Sequence, residues 1–266
     1  MIIIPVILGS AVLLAHIISA FTLDRCIEYK IVPFHLVKAP KELNGYKIAF
    51  ISDTHDITER KLKEVVLELN KLHLDLLILG GDFPSNDDEP RRSMEILSKV
   101  ETTDGIYGVE GTHDNYTKLF EAMERYSIHP LSNSGVYVRE RFFLAGVEDI
   151  KNRRPNVEKA LEKANPDSFV LLITHNPDVT MLQNTASADL ILSGHTHGGH
   201  ITLFGLWPPA LTLSKTITKY GTRFMTGWGM SRENVPVYVS NGMGCFAFVP
   251  RIFARPQAII ITLLVD

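Results

Sequence analysis

Short apolar runs that stop abruptly at aspartate or histidine recur along this 266-residue chain, and they constrain its fold more than any other feature. Residues 46–52 (YKIAFIS) run into Asp53-Thr54-His55, and residues 75–79 (DLLIL) into Gly80-Gly81-Asp82. Residues 106–109 lead to Gly111-Thr112-His113-Asp114, and residues 169–174 (FVLLIT) to His175. Residues 189–193 (DLILS) lead to Gly194-His195-Thr196-His197-Gly198-Gly199-His200. A short, wholly apolar run bounded by turn residues reads as a buried strand. One Asp at a strand end is an ordinary turn or capping residue, and one His-x-His is an ordinary surface loop. Five such endings in one chain point instead to a shared metal centre at the carboxyl ends of strands, where open α/β sheets bind ligands.

Between these runs the period changes. Leu62, Val65, Val66, Leu69 and Leu72 recur at helical spacing after Thr58, a residue suited to cap a helix N-terminus. Residues 90–100, 115–126 and 156–164 also read as helices. Residues 135–147 suggest two strands around a turn at 139–141, and 237–240 and 258–264 read as late strands. Residues 203–235 are rich in Gly, Pro and Thr without a clear period, as expected of a lid or cap. No Pro- or Ser-rich linker divides the body, so residues 45–266 are expected to form one domain, preceded by a segment over 24–44 that carries the first strand.

The apolar fraction, 45%, with 21% charged residues, describes a chain with a sizeable core. A net charge of −3 gives no basis for nucleic-acid binding. Two cysteines, Cys26 and Cys245, make neither a disulfide framework nor a thiolate zinc site. Any metal must therefore be held by His and carboxylates, a donor set that suits Mn, Fe or Zn.

Residues 2–23 contain no Lys, Arg, Asp or Glu, and a run of about 20 apolar residues is long enough to cross a bilayer. A cleaved signal peptide and a core helix are the competing readings, but no basic residue precedes the run as a signal would require. Residues 1–23 are thus expected to be an uncleaved membrane anchor. Arg25, Lys30, Lys38 and Lys41 follow it, so the positive-inside rule predicts a single-pass protein of the cell membrane with its body on the cytoplasmic side.

The ordered motifs D-x-H (Asp53, His55), G-D (Gly81, Asp82), G-x-H-D (Gly111 to Asp114), His175 and G-H-x-H (Gly194 to His197) resemble those of the calcineurin-like metallophosphoesterases. The resemblance runs from about residue 45 to the end. Thr174-His175-Asn176-Pro177-Asp178, the G-H-T-H-G-G stretch, and the closing segment with Arg251 and Pro256 are similar to a membrane-associated bacterial branch that includes UDP-diacylglucosamine pyrophosphohydrolases. It implies an α/β (α+β) fold: a four-layer αββα sandwich of two mixed sheets flanked by helices, here preceded by an apolar N-terminal helix. It also implies two divalent ions, Mn being the expected metal and Fe or Zn the alternatives. Asp53, His55, Asp82 and His197 would hold one ion, and Asp82 as a bridge, His175 and His195 the other. His113 would stand beside the substrate phosphate as the catalytic group, oriented by Asp114, with His200 further out. Two such ions clamp a phosphate and neutralise the charge that develops during in-line displacement.

Thr112 departs from the family pattern, which has Asn at this position as a ligand of the second ion. A threonine hydroxyl is shorter, so a weakened second site is expected. The implied activity is that of a metal-dependent phosphohydrolase acting on a phosphomonoester, phosphodiester or pyrophosphate bond. The anchor and the apolar residues Phe204, Leu206, Trp207, Leu211 and Leu213 favour a lipid-linked substrate resembling UDP-diacylglucosamine. The alternatives are a metal-binding but catalytically weakened homologue, or an enzyme of soluble nucleotides or phosphoproteins.

Overall fold

The computed structural model describes residues 3–22, 25–36, 40–84, 89–151, 153–245 and 250–265. Twelve strands among the described residues form two six-stranded mixed sheets. The first is built from β1 (Glu28–Leu36), β2 (Lys47–Ile51), β3 (Leu76–Leu79), β4 (Ile106–Gly108), β5 (His129–Pro130) and β12 (Gln257–Val265), in the order β1-β12-β2-β3-β4-β5. Strands β2 to β5 run parallel, and β12 lies antiparallel to β2. The second contains β6 (Ser134–Arg139), β7 (Phe142–Gly146), β8 (Phe169–Ile173), β9 (Leu190–Ser193), β10 (Gly227–Met230) and β11 (Pro236–Val239), in the order β10-β11-β9-β8-β7-β6. Its inner strands β7, β8, β9 and β11 are parallel.

The sheets pack face to face. Ile48, Phe50, Leu76 and Ile78 of the first share one buried cluster with Phe142, Leu144, Leu171 and Leu192 of the second. On the outer face of the first sheet lie α2 (Glu59–Asn70), α3 (Glu89–Leu97) and α4 (Tyr116–Arg125), whose apolar stripes bury Leu62, Val65, Met94, Leu97, Leu119 and Met123. On the outer face of the second lie the short α5 (Val157–Leu161) and α6 (Val179–Leu182). Strands wedged between a sheet and a helical layer are buried on both faces. That is why β3, β7, β8 and β9 are apolar at nearly every position instead of alternating. Thr58 caps α2, its hydroxyl accepting the amide of Lys61 at 3.3 Å.

The structure bears on two of the sequence readings. Residues 203–235, read as lacking a clear period, contain the short α7 (Pro209–Leu213) and β10, which pairs antiparallel with β11. Elements of four or five residues with glycines inside are too short to show a period.

The second reading is corrected. Among the described residues no helix is long and apolar enough to cross a membrane, which overturns the single-pass anchor over residues 1–23 and the cytoplasmic-side placement drawn from it. The helix α1 (Ile3–Phe21) has 19 residues, a rise of about 28 Å against a hydrocarbon core of roughly 30 Å. Its last turns are engaged with protein. Ser19 and Ala20 are buried, and the His16 ring meets Phe204 and Phe253 edge-on at 4.8 and 4.9 Å. Residues 1, 2, 23 and 38 of that expectation lie outside the described residues.

The layering makes a direct forecast. Leu171, fully buried on β8 between the sheets, should lose about 2–5 kcal/mol of stability on truncation to alanine. Urea denaturation of the two proteins with chelator present measures this, and a loss below about 1 kcal/mol would contradict the packing described.

Candidate metal centre

The carboxyl ends of β2, β3 and β4 in one sheet meet those of β8 and β9 in the other. The loops that follow are laced by backbone bonds: Asp53 N donates to Gly81 O at 2.8 Å, His55 N to Asp82 O at 3.2 Å, and Gly244 N to Asp53 O at 2.7 Å. His195 N reaches both oxygens of Asp53 at 3.1 Å, joining the two sheets through a carboxylate. Such close approach needs small residues. A Cβ on Gly111 would collide with the backbone N and Oδ1 of Asp82, and one on Gly194 with the Asp53 carboxylate. Asp53, His55, Asp82, His195 and His197 all have positive φ, between 37° and 73°. Left-handed backbone costs a non-glycine residue on the order of 1–2 kcal/mol, and such outliers gather at functional sites.

The side chains converge as two triads: Asp53, His55 and His197, and Asp82, His175 and His195, the ligand atoms of each lying within 4.8 Å of one another. His55 Nε2 and His197 Nε2 are 3.1 Å apart, and Asp53 Oδ1 lies 3.5 Å from His197 Nε2. Asp82 Oδ2 stands between the triads, 3.5 Å from His55 Nε2 and 3.3 Å from His175 Nε2.

Divalent ions fit these donors, most clearly in the second triad. His175 Nδ1 lies 2.8 Å from Gly80 O and His195 Nε2 lies 3.0 Å from Ile217 O. A carbonyl only accepts, so each of those nitrogens carries a ring proton, and the opposite nitrogens, 3.2 Å apart, face a common point where neutral rings would offer their lone pairs. His197 is held differently. The buried Arg251 donates to His197 O at 3.1 Å and places Nη2 3.1 Å from His197 Nδ1. Ligation through Nε2 would require that last contact to loosen, and Arg251 retains the carbonyls of Gly244 and Ala254 when it does.

Electrostatics agree with the donor chemistry. Burial, then the charges of His175 and Lys151, push His195 down to about 3, so its imidazole is neutral near pH 7. Burial, then Arg251, holds His197 well below the ordinary histidine value, and burial lowers His55. Burial acts to raise Asp82, but His175 and His55 beside it outweigh that and hold it well below the carboxylate range. His175 is the exception: burial would lower it, yet Asp82 and Asp53 raise it well above the ordinary value.

His113 is exposed on a cleft of about 510 Å³, with its ring centroid 5.7 Å from that of His55 and its amide bound to Asp82 Oδ1 at 2.8 Å. Asp114 directs its oxygens at the amides of Asp82, Phe83 and Gly111, at 2.7–2.8 Å, and so fastens the loops after β3 and β4 together. Burial and the Asp82 charge push it up to about 7. Thr112 Oγ1 lies 3.3 Å from both oxygens of Asp149. His200 lines the cleft, as does Lys151. The sequence reading missed Asp149, Lys151 and the Arg251 contact. A signal existed for the first two, since the apolar run Phe142–Gly146 also ends in acid, at Val147-Glu148-Asp149.

The sequence model of the calcineurin-like phosphoesterase family matches residues 46–199, more than half of the chain. A transmembrane protein with metallophosphoesterase domain from Danio rerio is 30% identical over 243 residues, covering 83% of this chain and 53% of that protein. An uncharacterized metallophosphoesterase of Helicobacter pylori is 28% identical, covering 86% of this chain and 62% of its own length. The Bacillus subtilis protein YpbG is 30% identical over 81% of this chain and 80% of its own length. The chain thus belongs to the calcineurin-like phosphoesterase family, a class of metal-dependent phosphohydrolases. It spans between about half and three-fifths of the length of the first two relatives.

The raised His175 gives a sign. In the metal-free protein its imidazole stays protonated above the ordinary histidine range, whereas an ion at Nε2 needs the neutral ring. Filling the second triad near pH 7 should therefore release a proton from His175 and weaken as pH falls, whereas His55 and His197 of the first triad, held neutral by burial, contribute none. Calorimetric titration with Mn²⁺ in buffers of different ionisation enthalpy reads this. Proton-independent binding at both sites would refute it.

Proposed function

We propose that this protein is a binuclear metal-dependent phosphohydrolase that cleaves a phosphoester or pyrophosphate bond in a substrate with an apolar, lipid-linked portion, similar to UDP-diacylglucosamine. One observation carries the reading: two buried histidine–aspartate triads share the neighbourhood of Asp82 at the floor of an open cleft. Asp53, His55 and His197 would hold one divalent ion and His175 and His195 the other, with Asp82 between the two triads. A donor set of nitrogens and carboxylates without thiolate suits Mn, which we take as the working metal. Bound ions supply the positive charge that clamps a phosphate and activates water against it.

The protein's own groups do the rest. His113, exposed at the cleft and anchored through its amide to Asp82, donates a proton to the leaving oxygen in this reading, which its position on the cleft supports. Asp114 acts through the backbone as a positioning residue, holding the His113 loop against the Asp82 loop. Lys151, on the cleft wall beside His195, adds a charge that a phosphate would meet on entry. Ile201, Pro209, Ala210 and Ile217 line the far wall. The exposed Leu203, Phe204, Leu206 and Trp207 follow directly in the chain. That apolar surround supports a lipid-linked substrate over a bare nucleotide.

The test is a panel of Mn-loaded assays with a generic phosphodiester, soluble nucleotides, a phosphopeptide, and a nucleoside-diphosphate lipid dispersed in detergent. His113→Ala should lower kcat by about 10²–10⁴ without changing bound metal. The lipid substrate should give the highest kcat/KM. Turnover equal to that of His113→Ala on every substrate would sink the enzymatic reading, and preference for soluble nucleotides would remove its lipid part.

A further inference from the structure

Of residues 174–178, which follow β8, only His175 enters the metal centre. Asp178 closes that stretch and is buried, and a buried carboxylate is costly unless hydrogen bonds compensate it. The turn that carries it is braced: the Thr174 hydroxyl donates to Asn176 O at 3.1 Å, and Asp178 N donates to Asn176 Oδ1 at 3.0 Å. An aspartate at the head of a helix commonly caps it, yet the Asp178 side chain makes no such bond to α6. Its oxygens serve the segment after α7 instead. The Thr218 hydroxyl donates to Oδ1, and Lys219 N donates to Oδ2 at 2.9 Å. Thr218 is buried as well, and its oxygen accepts the amide of Tyr220 at 3.1 Å.

The residue before Thr218 has two contacts with the site. Ile217 O accepts from His195 Nε2 at 3.0 Å, and the other ring nitrogen, Nδ1, faces His175 Nε2 at 3.2 Å. Ile217 also stands on the cleft wall, beside Thr216. Residues 214–220 belong to neither helix nor strand, so no ladder of backbone bonds holds that carbonyl in place. The link runs from one ligand loop to another: Asp178 shares its loop with His175, whereas His195 follows β9, the adjacent parallel strand. A further bond, from the Thr196 hydroxyl to Met225 O at 2.9 Å, ties the cap to the residue after His195.

We propose that Asp178 is a positioning residue for His195. By gripping Thr218 and Lys219 it keeps Ile217 O against Nε2, so the ring carries its proton there and offers Nδ1 to an ion shared with Asp82 and His175. The metal consequence rests on the two-ion reading above. The same grip sets where Ile217 stands on the cleft wall, so one carboxylate fixes both a metal ligand and part of the surface that a substrate meets. Groups that orient a ligating imidazole through its second nitrogen change metal affinity by about 10–100-fold.

Long-range nitrogen–proton correlation spectra of the metal-free full chain near pH 7, assigned by loss of the signal in His195→Gln, read the His195 tautomer. The wild type should show one neutral form, protonated at Nε2. Asp178→Ala should show a mixture of both tautomers, and in Mn²⁺ calorimetry it should bind the second ion at least ~10-fold more weakly with the first unchanged. Asp178→Asn keeps an oxygen for one of the two donors, so it should fold as the wild type does and still shift the tautomer and weaken the second ion. A purely structural role would lower thermal stability and leave the tautomer alone. A wild-type tautomer in folded Asp178→Ala or Asp178→Asn, or equal weakening of both ions, would overturn the proposal and leave two-ion binding standing. A wild type that takes up only one ion at any concentration would overturn the two-ion reading, while the tautomer spectra would still decide the role of Asp178.

Discussion

The Asp82 carboxylate, pinned between two sheets, is the contact on which the rest of the site depends. It faces His55 from the neighbouring strand of its own sheet and His175 from the opposite sheet, and its Oδ1 holds the amide of His113. Without metal its charge is balanced chiefly by the protonated His175, and a divalent cation would take over that compensation. Five residues around it, Asp82 among them, adopt left-handed backbone, and dense backbone bonding between loops holds that strain in place. The hydrophobic layers have a matching purpose, since parallel strands buried on both faces bring their carboxyl ends to one edge.

The two halves of the centre are built differently. The second triad is buried throughout and has both ring tautomers fixed by carbonyls, whereas His55 and His197 are about a tenth exposed and Arg251 stands against His197 Nδ1. Reasoning from Thr112 alone identified the second site as the weak one. The carbonyl contacts of His175 Nδ1 and His195 Nε2 act in the other direction, because rings already oriented towards the site lose less freedom on ligation.

Much of this was legible in the chain. Buried strands announce themselves by unbroken apolar runs, and the residues that end five of them are the ones the structure brings together in the two triads and on the cleft. Asp149 was less visible because two residues, Val147 and Glu148, separate it from its strand. The Arg251 contact was invisible, since it lies 54 positions along the chain from His197 and neither carries a local signal of the other. The N-terminal run misled for a plain reason: composition reports that a helix is apolar, while its use depends on its length and on whether its last turns pack on protein, as His16, Ser19 and Ala20 do. Short elements in 203–235 escaped because four or five residues cannot display a period.

The central claim is that two ions sit side by side with Asp82 between them. Diffraction data collected at the manganese absorption edge from crystals grown with Mn²⁺ test it directly. Two anomalous peaks about 3.5–4 Å apart, one among Asp53, His55 and His197 and the other among Asp82, His175 and His195, are the expected result. A single peak under saturating metal, or two peaks outside those triads, would contradict the account.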